Sequence, residues 1–93
     1  MASLIRDSNQ QYKVTINRKV EKFIQTDIQE AARREDARLF INDLANYPFL
    51  KGWDIDKITG REDTYPVRIG RYRIYYRVDS AMRIIRVVKA KLK

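Results

Sequence analysis

Residues 67–79 read V-R-I-G-R-Y-R-I-Y-Y-R-V-D, and this stretch decides the fold. Before Gly70, Val67 and Ile69 fall on one side of an alternating run and Arg68 on the other. After it, Tyr72, Ile74, Tyr76 and Val78 share one side, while Arg71, Arg73, Tyr75 and Arg77 share the opposite one. Successive side chains point to opposite faces of a strand, so the pattern predicts a β-hairpin turning at Gly70. One face of that hairpin is core and the other is cationic.

Toward the C-terminus, Asp79-Ser80-Ala81-Met82 is a turn, and MRIIRVVKAKLK (82–93) predicts a last strand. Its even positions Ile84, Val88, Ala90 and Leu92 are assigned to the core face, and Lys89, Lys91 and Lys93 to the cationic face. Arg86 on the even side and Ile85 and Val87 on the odd side break the alternation, and a β-bulge would invert part of this assignment.

Upstream of the hairpin, DIDKITG (54–60) predicts a short strand with Ile55 and Ile58 buried, closed by Gly60. Tyr12, Val14 and Ile16 alternate with Lys13 and Thr15 as a half-buried strand requires. Asn17 can then cap a helix whose stripe is Val20, Phe23, Ile24, Ile28 and Ala31. The charged patch RRED (33–36) interrupts the stripe, and Asp36 is a second cap for Ala37, Phe40, Ile41 and Leu44, ending before Pro48. Residues 1–11 are polar and aperiodic and are expected to form a flexible N-terminal extension to a single domain spanning 12–93. The expected fold is α+β, in the order β-α-α-β-β-β. Two helices pack on one face of a mainly antiparallel four-stranded sheet whose other face is basic and open.

Composition narrows the chemistry. The 93 residues carry a net charge of +8, with ten Lys/Arg against nine Asp/Glu in residues 1–60 and ten against three in residues 61–93. A one-signed C-terminal third implies a polyanionic partner, such as nucleic acid or an acidic protein segment. There is neither cysteine nor histidine. That removes disulfides, thiolate metal sites, the commonest general base and the ordinary nucleophilic triads. Any catalysis must use Lys, Arg, Tyr or carboxylates, and no metal or cofactor is expected. No run of eighteen apolar residues and no signal-type segment is readable, so a soluble cytoplasmic protein without a membrane partner is expected.

The helical pair, K-I-T-G at 57–60, the string Y-P-V-R-I-G-R-Y-R-I-Y-Y-R-V-D at 65–79 and the final apolar strand together resemble the RelE/ParE toxin superfamily, over residues 12–93. The resemblance implies the toxin half of a type II toxin–antitoxin pair. In the RelE branch this is an endoribonuclease that cuts messenger RNA in the ribosomal A site; in the ParE branch the target is DNA gyrase. It further implies that Arg68 corresponds to the basic residue late in the third strand and Arg73 to the arginine that contacts the scissile phosphate. Two departures set the chain apart from the strongest nucleases, and the short tail favours the ParE branch, with the ribosome-dependent nuclease as the first expectation and gyrase inhibition as the second. Pro66 occupies a position where the strongest nucleases carry lysine, and the final KAKLK lacks the basic pair and following tyrosine common in the family.

RNA can be cut without metal or histidine if its 2′-hydroxyl is held in line with the scissile phosphate, leaving the protein to manage charge. Arg68 and Arg73, projecting from adjacent strands, would hold the phosphate oxygens as negative charge accumulates. Lys91, or its neighbour Lys89, crowded among arginines, is the candidate for moving a proton. Arg71, Tyr75, Arg77, Lys89 and Lys93 would bind RNA, with Tyr75 stacking on a base. A cognate antitoxin, small and acidic, is the expected partner that blocks this face. A non-catalytic RNA-binding module of the same fold is the remaining reading. Trp53 packs beneath a loop or marks a partner surface; the sequence does not decide between them.

Overall fold

The computed structural model describes residues 11–47, 50–56 and 64–93. Strand β1 (Lys13–Ile16) is followed by helices α1 (Arg18–Thr26) and α2 (Ala31–Asp43), and a single 3-10 turn (Leu44–Asn46) closes α2. Strands β2 (Asp54–Ile55), β3 (Thr64–Ile69), β4 (Tyr72–Asp79) and β5 (Ile84–Leu92) complete the fold. The sheet runs in the order β1-β5-β4-β3-β2. Among the described residues only the β1–β5 pairing is parallel. The α+β architecture expected from the sequence is thus present, with five strands among the described residues in place of the four of the expected order, because the short strand read at 54–60 joins the sheet edge through Asp54 and Ile55 in addition to both strands of the hairpin. The rest of the strand expected over 54–60, and all but Gln11 of the extension expected over 1–11, lie outside the described residues.

Both helices pack on one face of the sheet and, with Ile28 of their connection and Leu44 of the 3-10 turn, bury Val20, Ile24, Ala37 and Phe40 against it. From the sheet they meet Val67, Ile69, Tyr72, Ile74, Tyr76, Ile85 and Val87. Each such large side chain contributes roughly 1.5–3 kcal/mol by leaving water. No polar or charged residue is buried among the described residues. Trp53 joins this layer: its ring meets Phe40 edge-on at 5.0 Å, and its indole N–H donates to Asp43 Oδ2 at 2.9 Å.

The first helix begins as expected, because Asn17 has extended φ/ψ and its side chain accepts the Lys19 N–H at 2.7 Å. The second does not begin where the charge patch suggested. The break falls at residues 27–30, and Arg33–Asp36 lies inside α2, so Asp36 caps nothing. The physical reason is that these charges serve the helix. Arg33 pairs with Asp36 one turn on at 3.1 Å, and Arg34 Nη1 donates back to the carbonyl oxygens of Ile28 at 2.7 Å and Gln29 at 3.2 Å.

The last strand carries the bulge. Tyr75 is opposite Lys89 and Tyr76 is opposite Val87, so Val88 is the extra residue. Before it, the assignment from the sequence is reversed: Ile85 and Val87 are buried, while Ile84 and Arg86 lie on the open face. After it, Ala90 faces inward and Lys89 and Lys91 face outward, as expected.

Candidate nucleic-acid interface

The two-residue turn between β3 and β4 builds the site. Gly70 has φ +61° at the first central position, the conformation that two-residue turns of this kind reserve for glycine. It also lies against α2: a Cβ there would meet Arg33 Cδ at 2.6 Å. With the turn fixed, Arg68 is directly opposite Arg73, and Arg73 directly opposite Lys91 on the next strand. The three residues singled out from the sequence as catalytic candidates therefore form one cross-strand row on the face the helices leave open. Tyr75 and Lys89 form the neighbouring row, with Pro66 beyond Tyr75, and Arg77 and Arg86 the one after that.

Within this grid the cations differ in their surroundings. Among the described residues Arg68 has two carboxylates in range, Asp54 Oδ2 at 3.7 Å from Nε and Asp56 Oδ2 at 4.0 Å from Nη2. Arg86 has Asp79 at 3.9 Å. Arg73 is half-buried, has no carboxylate within ion-pair distance among the described residues, and its Nε is buried without a hydrogen-bond partner. An orphaned, buried N–H costs about 1–3 kcal/mol, so Arg73 is held at the centre of the open face at the expense of stability. Lys91 places its Nζ 5.8 Å from the centre of the Tyr75 ring, a cation–π contact that leaves the ring beside the arginine row.

Two of the residues expected to bind RNA lie elsewhere. Arg71 is drawn to the helix layer, with Nε 3.2 Å from Glu30 Oε2 and its guanidinium 5.4 Å from the centre of the Tyr72 ring. It closes a network in which the Tyr72 hydroxyl donates to Glu30 Oε1 at 2.8 Å and accepts the Gln29 N–H at 3.2 Å. The Tyr72 hydrogen bond above all, then the backbone N–H of Glu30 and the charges of Arg71 and Arg33, hold the Glu30 carboxyl below its ordinary value. The same network, with Tyr72 first and Glu30 next, raises the Arg71 guanidinium. Lys93 is beyond the end of β5, its N–H donating to the Arg71 carbonyl at 2.9 Å. Arg71 thus anchors the hairpin tip to the α1–α2 connection, a role invisible in strand alternation.

Tyr76 is no candidate for proton transfer. It lies on the core face, where burial, followed by the neighbouring Tyr47 and Tyr65, pushes its phenol up from its ordinary value. The residues missed by sequence reasoning are Asp54 and Asp56. Their signal is the D-I-D alternation, which sends both acids to the side opposite Ile55, and only strand order shows that this side is shared with Arg68.

A sequence model of the family described as the ParE toxin of type II toxin–antitoxin systems matches residues 14–91. No curated protein sequence matches the chain closely enough to count as a relative. Among solved structures, the chain is similar to RelE in the archaeal RelE–RelB complex from Pyrococcus horikoshii, with a TM-score of 0.73 and 28% identity over 88% of this chain and 94% of that one. It is similar in fold to the RelB–RelE antitoxin–toxin complex from Methanococcus jannaschii, at TM-score 0.67 and 22% identity over 84% and 88% of the two chains. The isolated E. coli RelE toxin likewise shares the fold, at TM-score 0.67 and 17% identity over 87% and 83%.

Proposed function

Because this chain belongs to the ParE toxin family of type II toxin–antitoxin systems, within the RelE/ParE toxin superfamily, we propose that it acts in the cytoplasm as a RelE-type, ribosome-dependent messenger-RNA endoribonuclease. The observation that carries this reading is the row Arg68–Arg73–Lys91 on an open sheet face, with Tyr75 beside it.

In this reading the two guanidinium groups grip the non-bridging oxygens of the scissile phosphate. The 2′-oxygen bonds to phosphorus and releases its proton to solvent. The bond to the 5′-oxygen breaks, and the Lys91 ammonium supplies the proton that the leaving oxygen takes. The products are a 2′,3′-cyclic phosphate and a 5′-hydroxyl. Negative charge peaks on the phosphate in the transition state, where preorganised cations in a partly desolvated site stabilise it most. Tyr75 holds the neighbouring base by stacking. The partner that silences the site is a cognate antitoxin, in keeping with the archaeal RelE–RelB and RelB–RelE antitoxin–toxin complexes this chain resembles.

The test is cleavage of messenger RNA on purified, programmed ribosomes. Cuts ending in 5′-hydroxyls and lost in Arg73→Ala support the reading; intact messenger overturns it. A second reading, inhibition of DNA gyrase, is favoured by the match to the ParE family. It predicts loss of gyrase supercoiling with no cleavage. A non-catalytic RNA-binding module predicts neither.

A further inference from the structure

The open face is bounded by acids. On one side Asp54 and Asp56 flank Arg68 at 3.7 and 4.0 Å, and at the β4–β5 turn Asp79 lies 3.9 Å from Arg86. Between these limits are Arg73, Tyr75, Lys89 and Lys91, with no acidic side chain on the same rows of β4 and β5. The Arg68 pairs are loose and exposed, with side-chain exposures of 41% for the arginine, 60% for Asp54 and 46% for Asp56. Such pairs contribute little to folding. They are also poor clamps, since a bidentate arginine–carboxylate pair is shorter and better aligned than this. Their larger effect is on what approaches: a carboxylate beside a guanidinium cancels much of its attraction for any other anion.

A protein of net charge +8 attracts every polyanion in solution, and that attraction carries no sequence or site information. We propose that Asp54 and Asp56 are specificity-determining residues of this face: they occupy Arg68 as exchangeable counter-ions, so that casual RNA engages Arg73, Lys89 and Lys91 but not Arg68. A phosphate displaces the two carboxylates only when it is seated deeply enough to contact Arg73 and Arg68 together. The full row is then assembled around a correctly placed phosphate and withheld from others. This inference rests on the reading of the face as an RNA site.

The experiment is fluorescence anisotropy of a short unpaired RNA of mixed sequence, titrated with the full chain at several KCl concentrations. The variants are Asp54→Asn/Asp56→Asn, the same pair with Arg68→Gln, Arg68→Gln alone, and Arg73→Ala. The amides keep the shape of both exposed side chains and leave the backbone bond from Asp56 N–H to Pro66 undisturbed. The acid-free variant is expected to bind about three- to fivefold more tightly at low salt, matching the release of one surface ion-pair network. Its log–log salt slope steepens by about 0.7, the increment for one added phosphate contact on a single strand. Both gains vanish when Arg68 is glutamine.

Unchanged or weaker binding by the acid-free variant, with Arg73→Ala still impaired, overturns the inference and leaves the RNA site standing. In that case the acids merely orient Arg68. If no variant binds and Arg73→Ala changes nothing, the RNA reading itself fails and takes the inference with it.

Discussion

Arg68 and Arg73 are direct cross-strand partners, yet their surroundings among the described residues are opposite: Arg68 has two carboxylates in range, and Arg73 has a buried Nε with nothing to donate to. Like charges placed directly across a sheet are destabilising, and nothing in strand pairing calls for them. In the proposed function an anion that bridges them accounts for the pair.

Arg73→Ala is therefore expected to leave the fold intact and to lower cleavage by about 10²–10³-fold, the usual loss on removing one preorganised donor from a developing oxyanion. Arg73→Lys should recover little, because an ammonium cannot reproduce the planar fork. Single-turnover cleavage on programmed ribosomes, beside far-UV circular dichroism, measures both. Full activity in the alanine variant would remove Arg73 from the site.

In the proposed function Tyr75 contributes its ring rather than its hydroxyl. Tyr75→Phe should behave as the parent, while Tyr75→Ala should weaken RNA binding by about 1–3 kcal/mol, the worth of one base–aromatic stack. The loss should show in KM more than in kcat. Equal losses in both variants would point to the hydroxyl instead.

Gly70 is required twice over, by its φ of +61° and by the Arg33 methylenes 2.6 Å from where a Cβ would sit. Gly70→Ala should cost about 1–3 kcal/mol in urea unfolding, from backbone strain and overlap together. Adding Arg33→Ala should return the overlap part and leave the strain. An unchanged midpoint in the single variant would contradict this account of the turn.

The Glu30–Tyr72–Arg71 network carries a pH signature. The carboxyl of Glu30 is held below its ordinary value of 4.5 in the folded state. Its contribution is accordingly present in full above that value and lost as pH falls through the lowered folded value. Glu30→Gln should be less thermally stable than the parent at neutral pH, with the difference shrinking as pH drops below the ordinary carboxylate range. Melting temperatures across the acid range check this, and a difference independent of pH would show that the charge of Glu30 is not what matters.

The hairpin and its two faces were legible in residues 67–79, because alternation and a glycine turn are local signals that tertiary contacts reinforce. Whatever depended on which partner a side chain or strand meets was not. The charges at 33–36 look like an interruption of the helix, whereas Arg34 reaches back to the carbonyls of Ile28 and Gln29. Arg71 alternates with Arg73 but is captured by Glu30 on another element. The conflict at Ile85, Arg86 and Val87 was visible, though not its location at Val88, since register is set by the neighbouring strand. Asp54 and Asp56 gained significance only once β2 proved to be the neighbour of β3.

The most direct test of the central claim is to induce this chain and its Arg73→Ala variant in growing cells and map the 5′ ends of messenger RNA in both. Growth arrest with new 5′ ends inside coding sequences, absent in the variant, is the predicted result. Arrest by the parent chain with no new ends, or identical ends in the alanine variant, would contradict it.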